Sequence, residues 1–308
     1  MTKSVIKSYK GFDKDLKCKG FQYEVGKEYE IEGKTKCCER GFHACESPME
    51  VWDYYDMLDS RYAEVEQCGE IDKEESTTKV CSSRIKIKAE LKLSDIINIG
   101  VEWLKKTTSP SSVKVSTDMN DNGGDSAQIG SSGDSAKIGS SGDSAKIGSS
   151  GYSAQIGSSG DYAQIGSSGY YAQIGSSGYY AQIGSSGDYA QIGSSGDYAK
   201  IGSSGDSAKI GSSGYSAQIG SSGDYAQIGS SGYSAQIEST GEYSVIMCAG
   251  QSSSAKAKAG SWITLSEWMY NEIEKKNIPI CVKTEYVDGS RIKADTWYKL
   301  IDGEFKEV

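Results

Sequence analysis

The 308-residue chain has one histidine, three prolines and four phenylalanines. No apolar run approaches the ~20 residues that a membrane-spanning helix needs. The first residues, Met-Thr-Lys-Ser-Val-Ile-Lys, lack the apolar stretch of a secretion signal. Without a signal there is no reason to expect oxidation, so the eight cysteines are expected to be reduced and the protein cytoplasmic, in a host cytosol. No Gly-x-Gly-x-x-Gly, phosphate-binding loop or Gly-x-Ser-x-Gly motif occurs, and no cofactor is expected. Basic residues are scarce in the middle of the chain, where residues 121–250 carry 4 Lys/Arg against 11 Asp/Glu. Binding of nucleic acid needs a basic footprint, so direct binding is not expected. Mimicry of DNA is the inverse possibility. Duplex DNA, however, carries a charge every ~1.7 Å, about 20 over a ~34 Å rod, against a net seven acids here.

What the chain has in abundance is glycine (38) and tyrosine (21), most of it in thirteen near-identical nonapeptides between Gly124 and Ile237. Self-similarity at a short fixed period builds a solenoid, because each unit buries its apolar side only against its neighbours. The constant apolar positions, such as Ala163 and Ile165, are two apart, which is a strand period. The Gly-Ser-Ser-Gly between them supplies two glycines able to take positive φ at a corner. Each nonapeptide therefore reads as one strand plus one turn. Two strands facing across a thin Ala/Ile core would close a coil in 18 residues. The expected fold class is mainly β: a parallel β-roll or β-solenoid at 124–250, flanked by an α+β N-terminal domain at 1–106, a linker at 107–123 and a small β-rich capping module at 251–308. Seven coils at strand spacing would make a rod of roughly 34 Å.

The residues before each Ala are expected on the two outward faces, with tyrosines concentrated in the middle coils. Stacking of like side chains one coil apart accounts for such rows without a partner. Exposed aromatic rows are also the residue class enriched at protein interfaces. The candidate protein-binding residues are Tyr162, Tyr171, Tyr180, Tyr189 and Tyr198, with Gln164, Gln182, Asp188 and Asp197 beside them. The partner would be a host protein or a second copy, the latter giving a homo-oligomer through a solenoid face. Compared with the calcium-binding β-roll repeat, the second Gly is Ser, and the acid is replaced at Tyr152, Tyr170, Tyr179, Tyr215 and Tyr233. Calcium needs several oxygens at every site, so a metal-independent roll is expected. Ice-binding solenoids favour flat threonine arrays, and the array holds only Thr240.

In the N-terminal domain, β-like runs at 21–25, 27–31, 41–45 and 80–91 surround an expected helix at 47–55. A second helix begins with Leu93, Ser94 and Asp95 and ends at Lys105 and Lys106. The concentrated chemistry is Cys37-Cys38-Glu39-Arg40-Gly41-Phe42-His43-Ala44-Cys45. A zinc site from Cys37, Cys38 or Cys18 with His43 and Cys45 has suitable ligand types but poor spacing. A Cys/His nucleophilic pair would need a third group to orient the base. The simpler reading is a buried strand whose imidazole bonds to backbone. After the repeats, 261–265 reads as a strand, 266–276 as a helix and 280–287 as a strand. Hairpin turns are expected at Asp288-Gly289 and Asp302-Gly303, with strands at 293–300 and 304–308.

Tyr9-Lys10-Gly11-Phe12, Gly41-Phe42-His43-Ala44-Cys45, the tandem repeats, Gly260-Ser261-Trp262-Ile263-Thr264-Leu265 and Ala294-Asp295-Thr296-Trp297-Tyr298 together resemble a family of proteins from bacteriophages and gut bacteria. That resemblance implies a phage or mobile-element setting and brings no established activity. The repeats alone resemble the β-roll heads of trimeric autotransporter adhesins, which supports a roll and not an adhesive role. The expectation is a non-enzymatic interaction scaffold, in its most concrete form an inhibitor of a host defence or nucleic-acid-processing protein. The alternatives are an enzyme using Cys/His chemistry in the N-terminal domain and a structural or adhesive virion component.

Overall fold

The computed structural model describes residues 5–74, 77–109 and 124–308, so residues 110–123 of the expected linker lie outside the described residues. The chain divides into two compact units, Met1–Trp103 and Leu104–Val308.

The first unit contains β1 (Ile6–Phe12), β2 (Lys17–Cys18), β3 (Phe21–Gln22), β4 (Glu28–Glu30), β5 (Phe42–Cys45), β6 (Arg61–Lys73) and β7 (Lys79–Leu91). Five of these form a sheet in the order β4-β7-β5-β1-β6, closed on itself by the pairing of β6 with β7. Phe12, Phe42, Ala63, Val65, Ile85 and Ile87 meet inside it. Sequence reading missed β1 and β6. The helix expected at 47–55 is only a 3-10 turn, Met49–Asp53, whose Met49 and Trp52 are buried. The second helix is as expected: α1 spans Leu93–Thr107, with the Asp95 carboxylate accepting the Lys92 N–H at 2.9 Å and two lysines in its last turn.

The second unit is the parallel solenoid. Sheet I holds Gln128–Ser131 and its equivalents at 18-residue intervals up to Ser254–Ala257, and sheet II holds Lys137–Ser140 and its equivalents up to Trp262–Asn271. Neighbouring strands pair in perfect register, Ile165 against Ile147 and Ile183, for example. Alternate repeats thus enter opposite sheets, and one coil takes two repeats. Eight parallel strands per sheet replace the expected seven coils, because Ser254–Ala257 and Trp262–Leu265 keep winding after the repeat pattern has faded.

Three details differ from the expectation. Each strand is Gln/Lys-Ile-Gly-Ser and starts after the alanine, so the residue preceding Ala sits in the corner and not on a face. The left-handed conformation at most corners belongs to these residues, as at Tyr162 (φ 56°), Tyr180 (φ 55°) and Ser216 (φ 52°), with Ser135, Ser153 and Tyr171 as exceptions, and among the described residues no repeat glycine has positive φ. The corner glycines serve close approach instead. A Cβ on Gly178 would lie 1.9 Å from the carbonyl oxygen of Gly160 one coil earlier, and the same clash recurs at Gly160, Gly187 and Gly196. The third difference is in the core, where serine joins Ala and Ile as an inward residue. Ser149, Ser167, Ser185 and Ser203 are fully buried, and the Ser149 and Ser167 hydroxyls accept the N–H of the glycine two residues on, at 3.3 and 3.2 Å.

The C-terminal segment caps the pile, as expected, by different elements. The helix expected at 266–276 is instead the far half of a strand, because Trp262–Leu265 docks in register on Val245–Cys248 and carries the chain onward to Asn271. It turns back as Lys276–Tyr286. Asp288-Gly289 is a crossover from sheet II to sheet I and not a hairpin turn, whereas Asp302-Gly303 does join the hairpin Tyr298–Ile301 and Glu304–Glu307. The expected strand at 293–300 is shortened to its last residues. Val287, Ile292, Tyr298 and Leu300 close the apolar end of the Ala/Ile core, which would otherwise expose a sheet edge.

Candidate functional site

The tyrosines line the two corners of the solenoid. Along the corner that leads into sheet I, Tyr162, Tyr180 and Tyr198 stack at 5.2 and 5.0 Å, and the row continues through Tyr215 to Tyr233 at 5.6 and 5.1 Å. Along the other corner Tyr152, Tyr170, Tyr171 and Tyr189 form one cluster, separated by Asp206 and Ser207 from the stacked pair Tyr225 and Tyr243. Offset and tilted ring pairs at these separations are attractive. Of the candidate residues, Tyr162, Tyr171 and Tyr189 are exposed, while Tyr180 and Tyr198 are half-buried by their neighbours. The corner aspartates have a structural duty: Asp161, Asp188 and Asp197 each accept the backbone N–H of the residue one coil on, at 2.7 to 2.9 Å.

Gln164 and Gln182 do not belong to an exposed face. They are 7% and 2% exposed, on the outward side of sheet I. The two sheets have the same outward pattern of Gln/Lys and Gly, yet their surroundings differ. On sheet I the glycine column is occupied at its start by the chain itself. A Cβ on Gly130 would stand 2.0 Å from the Thr108 carbonyl oxygen, and one on Gly148 would stand 3.1 Å from the Leu104 carbonyl. On sheet II, Gly139, Gly157, Gly175, Gly193, Gly211 and Gly229 have nothing within 4 Å. The result is a shallow groove of about 1120 Å³, walled by the glutamine ladder with Lys137 and Lys209 and ending at the exposed Val245 and Met247. Sequence reading missed this groove, although alternating Gln and Gly on the outward side of every strand was a visible signal.

The Cys/His segment folds as a turn, closed by a bridge between Lys36 and Arg40, followed by the strand Phe42–Cys45, with its ligand types dispersed. His43 Nε2 accepts the Cys38 N–H at 2.9 Å, Cys37 Sγ points to the Asp72 carbonyl at 3.4 Å, and Cys45 is buried. Among the described residues no three His, Cys, Asp or Glu side chains gather as a metal site, so the weaker zinc set Cys37, Cys38, His43 and Cys45 is not assembled. Burial first, and Glu50 second, push the Cys45 thiol up, which leaves little thiolate for nucleophilic work. Burial, with Lys10, Lys19 and Lys79 around it, pulls the His43 imidazole down.

Those lysines face a cleft of about 1140 Å³ within the first unit. Lys10 projects into it from the middle of β1 and is 3% exposed. Its Nζ reaches the His43 carbonyl at 3.1 Å, the Tyr55 hydroxyl at 3.4 Å and Cys18 Sγ at 3.5 Å. The rings of Phe12, Tyr23 and Tyr55 stand 5.4 to 5.7 Å from it, at cation–π distance. Gly11 makes this packing possible, since a Cβ there would lie 2.4 Å from the Tyr55 ring. Burial pulls the Lys10 amine down from its ordinary value.

Among the described residues no helix is long and apolar enough to cross a membrane. Residues 6–99 match a family described as a domain of unknown function, DUF7666. No curated protein and no solved structure matches the chain.

Proposed function

We propose that the chain is a non-enzymatic interaction scaffold of phage or mobile-element origin, acting in a host cytosol, that docks a segment of a protein partner along the open groove of sheet II. The observation that carries this reading is the contrast between two outward faces of one repeat. Sheet I receives the chain's own backbone, at Leu104 and Thr108, directly on its glycines. Sheet II offers the same glycine column to open space. A floor without Cβ atoms lets a partner main chain approach closely, and the glutamine amides offer donors and acceptors to it. Tyrosines stand at both corners of the solenoid, at either end of the sheet II strands, and Tyr supplies large contact area at little conformational cost. The mobile-element setting rests on the resemblance of the motifs at both ends, and inhibition of a host defence or nucleic-acid-processing protein is the role that this setting favours.

The test fills the groove. Gly175→Val and Gly193→Val place side chains in open space and leave folding intact. Captured proteins from host cytosol are compared between wild type and the double variant, with the mass of the free protein measured in parallel. A protein held by the wild type and lost by the variant supports the reading, and so does a wild-type dimer that dissociates on filling. Capture and mass that both stay unchanged when the groove is filled overturn it.

A further inference from the structure

We infer that the cleft of the first unit is a binding site for a small ring-bearing oxyanion, with the anionic group drawn to Lys10 and the ring laid against the aromatic wall of Phe21, Tyr23 and Tyr29. Buried charges in proteins are paired, since an isolated ammonium costs several kcal/mol to desolvate. Lys10 is buried, and among the described residues its contacts are a carbonyl, a phenol, a thiol and rings; none is a carboxylate.

The carboxylates lining the cleft are spent elsewhere. Asp59 faces Lys14 at 3.6 Å, Glu39 holds Lys36 at 2.5 Å and Glu30 holds Arg84 at 2.6 Å. The Asp13 and Asp56 carboxylates accept backbone N–H groups of Lys17 and Leu58 at 2.7 and 2.9 Å. Lys19 stands on the lining with no ion pair among the described residues, whereas Lys79, also on the lining, is paired with Glu74 at 3.0 Å. The cleft is therefore short of negative charge at its inner end. An oxyanion supplies that charge and accepts from the ammonium, and it also accepts from the Tyr55 hydroxyl, whose hydrogen-bond partners among the described residues are Cys18 and Lys10.

The outer wall specifies the rest of the ligand. Phe21 is 48% exposed and sits edge-on to Tyr23 at 4.8 Å and to Tyr29 at 5.3 Å. Three rings at such spacing, one of them largely open, make an apolar platform beside the positive end, and a planar ring fits it.

Calorimetric titration of the full chain tests this with four probes: phenyl phosphate, benzoate, benzyl alcohol and inorganic phosphate. The two ring-bearing anions are expected to bind at least about tenfold tighter than the neutral ring or the ringless anion, and their order distinguishes a phosphate from a carboxylate site. Lys10→Met, which replaces a buried charge by an apolar chain of similar length, keeps the fold and abolishes the preference for anions over benzyl alcohol. Lys19→Gln, on the rim, weakens the anions severalfold, and Phe21→Ala weakens the ring probes. Benzyl alcohol binding as tightly as benzoate, unchanged anion binding in Lys10→Met, or no binding of either ring-bearing anion overturns the inference.

Discussion

In the solenoid a residue's duty is set by its place in the nine, whereas in the first unit it is set by one particular neighbour. Gly11 is small because Tyr55 lies on it, and Gly41 because Cys81 Sγ would meet a Cβ at 2.2 Å while the backbone holds φ at 134°. Gly69, at φ 89° with Ser83 Oγ 2.2 Å from a Cβ, repeats the second condition with another neighbour. In the solenoid the same close approach, 1.9 to 2.1 Å from a glycine carbonyl one coil away, returns at corner after corner. At the corners and in the Ala/Ile core, position within the repeat should then predict the effect of a substitution, with little regard to which coil carries it; on the outward faces the sheet decides as well. The first unit has no such rule.

The most damaging change should be Gly178→Ala. Its Cβ meets main chain, which cannot rotate away, and the corner aligns the stacked coils. A loss of about 4 kcal/mol or more, read from the urea midpoint of the solenoid's circular dichroism signal, is expected; a loss below about 1 kcal/mol would break the positional rule. Ile183→Ala comes next. The side chain is fully buried between Ile165 and Ile201, and about 2–5 kcal/mol should go. The same change at Ile219, equally buried between Ile201 and Ile237, should cost the same to within about 0.5 kcal/mol.

Lys10→Met moves the comparison to the first unit and reverses the sign. Removing a buried, unpaired ammonium should stabilise by about 1–3 kcal/mol near neutral pH. Burial lowers the Lys10 pKa in the folded chain, so between that lowered value and the ordinary 10.5 the unfolded chain binds more protons, and wild-type stability rises with pH. The advantage of Lys10→Met should accordingly shrink as pH climbs toward 10.5, and an advantage flat in pH would show that Lys10 does not titrate on unfolding. The smallest effect belongs to Gly193→Ala. A glycine again, but outward on sheet II with nothing within 4 Å, it should change stability by no more than about 0.5 kcal/mol, in the favourable direction if any.

The repeat period, the 18-residue coil and the Ala/Ile core were legible from the chain because thirteen copies of one unit leave little else for the pattern to mean. What was not legible was where the strand starts within the unit. Counting the period backward from Ala163 carried Tyr162 onto a face, but the strand begins at Gln164, and Tyr162 turns the corner with φ at 56°. A tyrosine in the left-handed region is contrary to local preference and is held there by the N–H of Tyr162 bonding to the Tyr179 carbonyl at 2.8 Å. The stretch 266–276 was misread for a related reason: pairing of Trp262–Leu265 with the coil beneath imposes a strand that local composition does not announce.

The N-terminal site was hidden altogether. Lys10 in Tyr-Lys-Gly-Phe looks like an ordinary outward lysine of a half-exposed strand. It is buried because β1 is covered on both sides, and the ring that covers Gly11 comes from Tyr55, far along the chain. The Cys/His segment drew attention for its residue types. Its structural share is His43, which fixes the Cys38 corner and lends Lys10 a carbonyl.

The alternation of repeats between the two sheets gives the chain a parity. Gain or loss of eighteen residues inserts or removes a whole coil and leaves every later strand on its own side. Gain or loss of nine would exchange the sides from that point on, so that the terminal hairpins would arrive beneath the wrong stack and the exposed trough would change walls halfway along. Only even numbers of units can therefore be added or removed without moving the later strands to the other sheet, so that the open trough keeps one side.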